Sequence, residues 1–410
     1  MLIRDGKIED IGKGLGGSAD VEINGEGKIA LPGLINTHTH LSMVLFRGYA
    51  DDMRLQDWLQ KKIWPLEARL TGKACYQGAL LGSAEMIMSG TTTFIDMYFH
   101  LEEVAKAVEE SGLRAFLSYG LIDLFDPAKA KTEQEKSKQL FEFFRSLGSP
   151  RIRFALGPHA PYTCSAETLV WAKDFAEKNE LIFHIHLAET RKEQADSQQQ
   201  HGERVVEYLD KIGALCDRML GAHCVWLTKS EIGLLAKAGV SVAHCPVSNM
   251  KLASGGVAPL PEMFDAGISV GLGTDGAASN NSLDMFETMK VCALLHKAHR
   301  WDPTVLNAQK VLDLATIEGA RALRIQDEVG SVEVGKKADI IVLDGKMPNL
   351  NPVHGKETIV SDLVYSASAA NVNTTIVDGK VLMQNRQLRT MNLEQIVQNA
   401  GEITNKLIHA

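Results

Sequence analysis

The sequence has no run of about 18 consecutive apolar residues, the length a helix needs to cross a bilayer, so no membrane span is expected. It is short of basic charge: 43 Lys and Arg stand against 51 Asp and Glu, a net charge of −8. A surface that grips nucleic acid needs clustered cations, so this balance argues against a nucleic-acid partner. The 6 cysteines are scattered and contain no Cys-x-x-Cys pair. In a chain of 410 residues that spacing excludes a disulfide framework and implies reduced, structural thiols of a cytoplasmic protein. The opening MLIRDGKIED is charged and lacks the apolar stretch of a signal peptide, which points the same way. No low-complexity linker interrupts the chain.

What is present is the composition of a globular protein, 45% apolar and 23% charged. The length suggests a large domain with a smaller one beside it. Eight short β-rich runs recur at 29–38, 92–99, 114–121, 151–158, 181–188, 218–225, 240–247 and 268–275. Segments with helical spacing lie between them, among them 101–112, 166–179, 202–213 and 228–239, several ending in Gly. Strand–helix alternation predicts a parallel sheet, and eight such units predict an α/β fold, a (β/α)8 TIM barrel over 29–329. The flanks read differently. Residues 1–28 and 330–410 carry β-branched alternation around three Asp-Gly pairs, the signature of hairpins, and are expected to form one small β-sandwich. Residues 392–409 have the pattern of an amphipathic helix.

Barrel enzymes place their chemistry at the C-terminal strand ends. Here those ends hold His38 and His40, His159, His184 and His186 with Glu189 just beyond, His223, His244, and Asp275. In an extended chain side chains repeat with a period of two, so His38 and His40 face the same way. Two adjacent imidazoles repel if both are charged, and a shared cation removes that conflict. His186 and Asp275 complete three nitrogens and one oxygen, a set suited to one catalytic Zn²⁺ or Fe²⁺ with a position left for water. A lone strand histidine is more often a packed core residue; the coincidence of strand ends is what favours a metal. His184, deeper on the face of His186, is expected to support it. His244 is expected to brace its strand or line the pocket. His100, His201, His296, His299, His354 and His409 fall off the strand ends and read as surface or helix residues.

The motifs PGLINTHTHL, GPHAPYTC, HIHLAET, GAHCVW, HCPVSNMKLASG and GLGTDGAASNNSLDMF resemble the amidohydrolase superfamily, and within it the 5′-methylthioadenosine/S-adenosylhomocysteine (5′-deoxyadenosine) deaminases. The resemblance spans essentially the whole chain. It implies that His38, His40, His186 and Asp275 are the metal ligands, and that Asp275 also takes a proton from water. By the same resemblance Glu189 shuttles protons to the purine and His223 orients the water. Trp58 would line the pocket, Glu67 would hold ribose hydroxyls, and His159 would touch substrate. The end of strand 4 reads ALGPHAPYT, without the lysine that binuclear members carboxylate, so one metal per subunit is implied. Self-association is common in the family and is expected here.

The implied reaction is hydrolytic deamination of 5′-substituted adenosines, in recycling of S-adenosylmethionine by-products. Relatives that favour S-adenosylhomocysteine carry arginines after strand 3 to clamp its carboxylate. Here Tyr119 follows Phe116-Leu117-Ser118, and the loop 122–136 has lysines but no arginine. Uncharged 5′ substituents (5′-deoxyadenosine, 5′-methylthioadenosine, adenosine) are therefore expected to be preferred. The alternatives are a guanine or cytosine deaminase, a triazine chlorohydrolase, or a barrel that has lost catalysis.

Overall fold

Asp5 and Gly6 both adopt positive φ, the type I′ geometry that joins two twisted antiparallel strands through a two-residue loop. In the computed structural model, which describes residues 1–16 and 18–409, this turn joins β1 (Leu2–Arg4) to β2 (Lys7–Asp10). β3 (Lys28–Pro32) follows, and Gly33 then carries the chain from one sheet into another. A Cβ at Gly33 would stand 2.1 Å from Thr92 Oγ1, so only glycine fits the crossing. β4 (Leu34–Thr39) opens the barrel on the other side. The run 29–38, expected as one barrel strand, is therefore two strands in two sheets, and the change of sheet falls at Gly33 rather than at residue 29.

β5 (Thr91–Tyr98), β6 (Arg114–Leu121), β7 (Ile152–Pro158), β8 (Phe183–Leu187), β9 (Met219–His223), β10 (Ser241–His244) and β11 (Val270–Leu272) follow in parallel, each beside its neighbour in the chain. Ile35, Ile95, Phe116, Ala155, Leu220 and Ala243, from six of these strands, belong to one buried cluster. Helices cover the outside; Leu101–Ser111 does so with one apolar stripe, burying Leu101, Val104, Ala105 and Val108. One backbone bond and the Asn36 side chain help to close the ring between β11 and β4. Asp275 N–H donates to the His38 carbonyl at 2.9 Å. Asn36 accepts from Thr274 N–H at 3.1 Å and donates to Thr274 Oγ1 at 2.7 Å. The result is an eight-stranded (β/α)8 barrel, as the alternation predicts.

β12 (Ile340–Asp344), β13 (Val372–Val377), β14 (Lys380–Gln384) and β15 (Gln387–Leu388) join β3 in a second, antiparallel sheet. Asp378-Gly379 turns β13 into β14 with both residues at positive φ, as at Asp5-Gly6. The third Asp-Gly pair, Asp344-Gly345, is not a hairpin turn. β13 is the next strand and pairs antiparallel with β12, but the chain reaches it only after a long excursion through the helix Ile359–Tyr365, so no tight turn joins them. Ile8 of the β1–β2 hairpin packs on Ala338, Ile340, Val342 and Ile376, which gives the small sheet its second layer. The terminal helix Leu393–His409 lies against the helix Gly72–Ser89. Among the described residues no helix is long and apolar enough to cross a membrane.

Candidate active site

The C-terminal strand ends bring His38, His40, His186 and Asp275 together. His40 Nε2 lies 3.2 Å from His186 Nε2 and 3.2 Å from Asp275 Oδ1, and His38 Nε2 lies 3.5 Å from Asp275 Oδ1. Each imidazole is held by its other nitrogen. His40 Nδ1–H donates to the Met97 carbonyl at 2.6 Å, and His186 Nδ1–H donates to the His159 carbonyl at 2.8 Å. His38 Nδ1 pairs with His184 Nε2 at 2.7 Å, and His184 is braced in turn by Ser118 Oγ at 3.1 Å. These outer bonds leave three Nε2 atoms facing one point, which is how proteins orient metal-binding histidines. His38 Nε2 is buried there with no hydrogen-bond partner. Three imidazole nitrogens and a carboxylate around an orphaned buried nitrogen fit a divalent cation of the zinc or iron type.

Asp275 is prepared as an anion. Burial opposes its charge, but the facing imidazoles of His38 and His40 hold its carboxyl well below the usual carboxylate range. Its Oδ2 accepts from Ser248 Oγ at 2.5 Å and Ser279 Oγ at 3.0 Å, and Oδ1 accepts from Gly276 N–H at 2.7 Å. Neither serine, nor Asp96, which accepts from Leu41 N–H at 2.6 Å just beyond His40, was singled out in the sequence.

Glu189 is the opposite case. Burial, with the nearby charge of Asp275, raises its carboxyl to about 8. Glu193, one helical turn on, accepts from Ala188 N–H at 3.1 Å and Glu189 N–H at 2.8 Å, and so fixes the backbone that carries Glu189. That spacing of four was the sequence signal for it. His223 and Cys224 both adopt positive φ where β9 ends, a conformation that costs a non-glycine residue about 1 kcal/mol or more. The bend sets His223 Nε2 at 3.9 Å from Glu189 Oε2.

A pocket opens above this cluster and is lined by Trp58, Glu67, His159, Glu189, His223 and Asp275. Its outer wall is apolar: Leu55, Leu59, Ile63, Trp64, Phe99 and Ile122. A π-helical turn, Leu59–Ile63, interrupts the helical segment between Trp58 and Glu67, a distortion frequent at functional sites. Burial raises the Glu67 carboxyl, which lies beside the Tyr98 hydroxyl. Among the described residues no Lys or Arg lines this pocket.

Tyr119 departs from its expected place. Ser118 and Gly120 face the barrel mouth, so alternation turns Tyr119 outward, where its hydroxyl lies beside Glu133. An arginine at 119 would not reach the pocket; the residues at that depth are Gly120 and Ile122. His296 is on a helix as expected, but buried, 3.1 Å from His244 through their Nε2 atoms and close to Cys292. This second cluster lacks what the first has. Nδ1 of both His244 and His296 is buried without a partner, so nothing orients either ring as a ligand. His244 braces β10 against the helix Met285–Arg300.

A model of the amidohydrolase family matches residues 29–382. The chain is 49% identical over 401 residues to a protein of Methanothermobacter thermautotrophicus named 5′-deoxyadenosine deaminase, covering 98% of this chain and 92% of the relative. It is 51% identical over 383 residues to a 5-methylthioadenosine/S-adenosylhomocysteine deaminase of Thermococcus sibiricus, covering 93% of this chain and 89% of the relative. Among solved structures, an adenosine deaminase from Xanthomonas campestris with bound zinc superposes with a TM-score of 0.89 at 37% identity, covering 94% of this chain and 87% of that one. An atrazine chlorohydrolase from Arthrobacter aurescens complexed with zinc superposes with a TM-score of 0.90 at 26% identity, over 98% and 94% of the two chains.

Proposed function

This chain belongs to the amidohydrolase family, and from that premise we propose that it deaminates 5′-substituted adenosines by hydrolysis, releasing ammonia and the inosine analogue. 5′-Deoxyadenosine, 5′-methylthioadenosine and adenosine are the proposed substrates, with S-adenosylhomocysteine weaker, in recycling of S-adenosylmethionine by-products. The deaminase names of relatives at 49% and 51% identity support the reaction. The observation that carries it is Glu189, a buried carboxyl that keeps its proton near neutral pH three residues from His186. Deamination of a purine needs such an acid, because C6 resists attack until the ring nitrogen N1 is protonated.

His38, His40, His186 and Asp275 would hold one divalent cation, Zn²⁺ or Fe²⁺. With Pro158-His159 where binuclear relatives have a lysine, no bridge for a second cation is present. When bound, the cation acts as a Lewis acid and makes water nucleophilic near neutral pH. The remaining work belongs to the chain. Asp275, ionised, accepts a proton from the attacking water. Glu189 gives its proton to N1. The His223 Nε2–H donates to the attacking oxygen as charge develops on it. The proton on Asp275 passes to the amino group; as the C6–N bond breaks and ammonia leaves, the C6 hydroxyl becomes the carbonyl and its proton returns to Glu189, which regains its acid form. Trp58 and the apolar wall exclude water around the ribose, Glu67 accepts from its hydroxyls, and His159 contacts the bound nucleoside. A pocket without Lys or Arg favours a 5′ substituent without a carboxylate.

Ammonia release from the zinc-loaded protein tests this reading, with 5′-deoxyadenosine, 5′-methylthioadenosine, adenosine, S-adenosylhomocysteine, guanine, cytosine and a chlorotriazine as substrates. The uncharged 5′-substituted adenosines should turn over well ahead of S-adenosylhomocysteine. Turnover of a free base or dechlorination alone would transfer the function to another branch of the family.

A further inference from the structure

The motif HCPVSN, residues 244–249, ends in two residues that the reaction above does not use directly. They sit on the short helix Pro246–Lys251, which begins as the chain leaves β10 and crosses the barrel mouth. Ser248 reaches Asp275. Its neighbour Asn249, buried at 5% exposure, reaches His223: Asn249 Nδ2 lies 3.0 Å from His223 Nδ1. One helix therefore touches two of the groups assigned to proton handling.

Two observations fix the sense of the Asn249–His223 bond. The only polar atom of the Asn249 side chain without a partner is Oδ1. Reversing the amide would instead strand its NH₂ group in the interior, and buried N–H groups without acceptors are rarer than under-used carbonyl oxygens. On the far side of the ring, His223 Nε2 faces the pocket, 3.9 Å from Glu189 Oε2, so a hydrogen on Nε2 points into the space where substrate would lie. An amide N–H can only donate to a bare imidazole nitrogen. A neutral ring that accepts at Nδ1 must carry its hydrogen on Nε2.

We infer that Asn249 is a positioning residue: by donating to His223 Nδ1 it holds the imidazole in its Nε2–H tautomer, so that the ring offers a hydrogen, and not a lone pair, to the oxygen that attacks the purine. This rests on the proposed role of His223. The other tautomer would point a lone pair at the developing oxyanion, and loss of one oxyanion donor costs about 10²–10³ in kcat.

The test is ¹³C NMR of the full-length protein with histidine labelled at Cδ2, a carbon whose shift separates the two neutral tautomers. The His223 signal is identified by its loss in His223→Gln. In the wild type it should report Nε2–H. In Asn249→Asp the carboxylate accepts from Nδ1–H and should switch the ring to the opposite tautomer, with kcat falling about 100-fold and KM changing less than about threefold. Asn249→Ala removes the donor without imposing the other tautomer, and should give a mixed signal and a smaller loss of kcat. A wild-type signal from Nδ1–H, or an unchanged Nε2–H signal in both variants, would overturn the inference. Because the tautomer is read without substrate, silence of the wild type toward every adenosine would overturn the proposed function while a tautomer switch still supported the assignment to Asn249.

Discussion

Glu189 keeps its proton because its surroundings offer an ionised carboxyl nothing: burial and the charge of Asp275 both oppose a second anion. In the proposed reaction the acid form is the working form, so the sign of the expected pH dependence follows. Below about 8 the carboxyl is protonated and kcat/KM should be level on this account; above it kcat/KM should fall about tenfold per pH unit as the proton is lost. Glu193 is also raised to about 8, by burial and by the charge of Glu189. Glu193→Gln should therefore retain the alkaline limb, whereas Glu189→Gln should lose about 10²–10⁴ in kcat at every pH. A limb that vanished in Glu193→Gln would assign the titration to the wrong carboxyl. At this scale the sequence was most readable where spacing alone forces proximity. His38 and His40 share a face through the period of a strand, and Glu189 follows His186 by three residues just past a strand end. Asn249 was not readable, because its partner His223 is 26 residues away and the two meet only through the pitch of a six-residue helix.

Elements were legible wherever one face is buried and the other is not. The eight parallel strands and the helix Leu393–His409 fall where their apolar patterns put them. Misreadings arose where the chain crosses between layers. Leu31 and Ile35 look like one apolar run, yet Gly33 divides them because of Thr92 below it. Asp344-Gly345 has the letters of a hairpin, and the next strand does pair antiparallel with β12, but an inserted segment with the helix Ile359–Tyr365 separates the two, which the dipeptide alone does not reveal. Arg114 shows what ties the two layers together. It begins β6, far from the pocket, and is 2% exposed; its Nε and Nη2 donate to Asp339 at 2.8 and 3.0 Å, and Asp339 also accepts from Asp378 N–H at 2.8 Å. One buried ion pair thus ties the barrel to the turn between β13 and β14. Arg114→Ala leaves Asp339 buried and unpaired, a loss of about 3–5 kcal/mol. At about 2.1 cal/mol/K of unfolding entropy per residue, that lowers Tm by about 4–6 °C in a chain this long. Replacing both partners by apolar residues of similar size should cost less than the single change. If calorimetry found Arg114→Ala as stable as the wild type, the pair would not be what joins the two subdomains.

For the whole molecule, the candidate metal site also gathers parts distant in sequence. His38 and His40 lie in the first barrel strand, His186 in the fifth, and Asp275 just beyond the eighth, where Asn36 and the His38 carbonyl help to join the ring's two edges. An unfolded chain cannot present these four groups together, so a cation held by them binds only the folded state and stabilises it by mass action. At 1,000 times its dissociation constant that contribution is about 4 kcal/mol, or a rise of about 5 °C in Tm at the entropy used above. Prolonged dialysis against a chelator should lower Tm by about that amount, and zinc should restore it in proportion to the logarithm of its concentration. His186→Ala and Asp275→Ala should each abolish the restored increment. His296→Ala, in the cluster whose rings have no outer partners, should leave it intact. A zinc-dependent shift that survived Asp275→Ala but disappeared in His296→Ala would move the cation out of the barrel mouth, and Glu189 and His223 would then face a site with no Lewis acid.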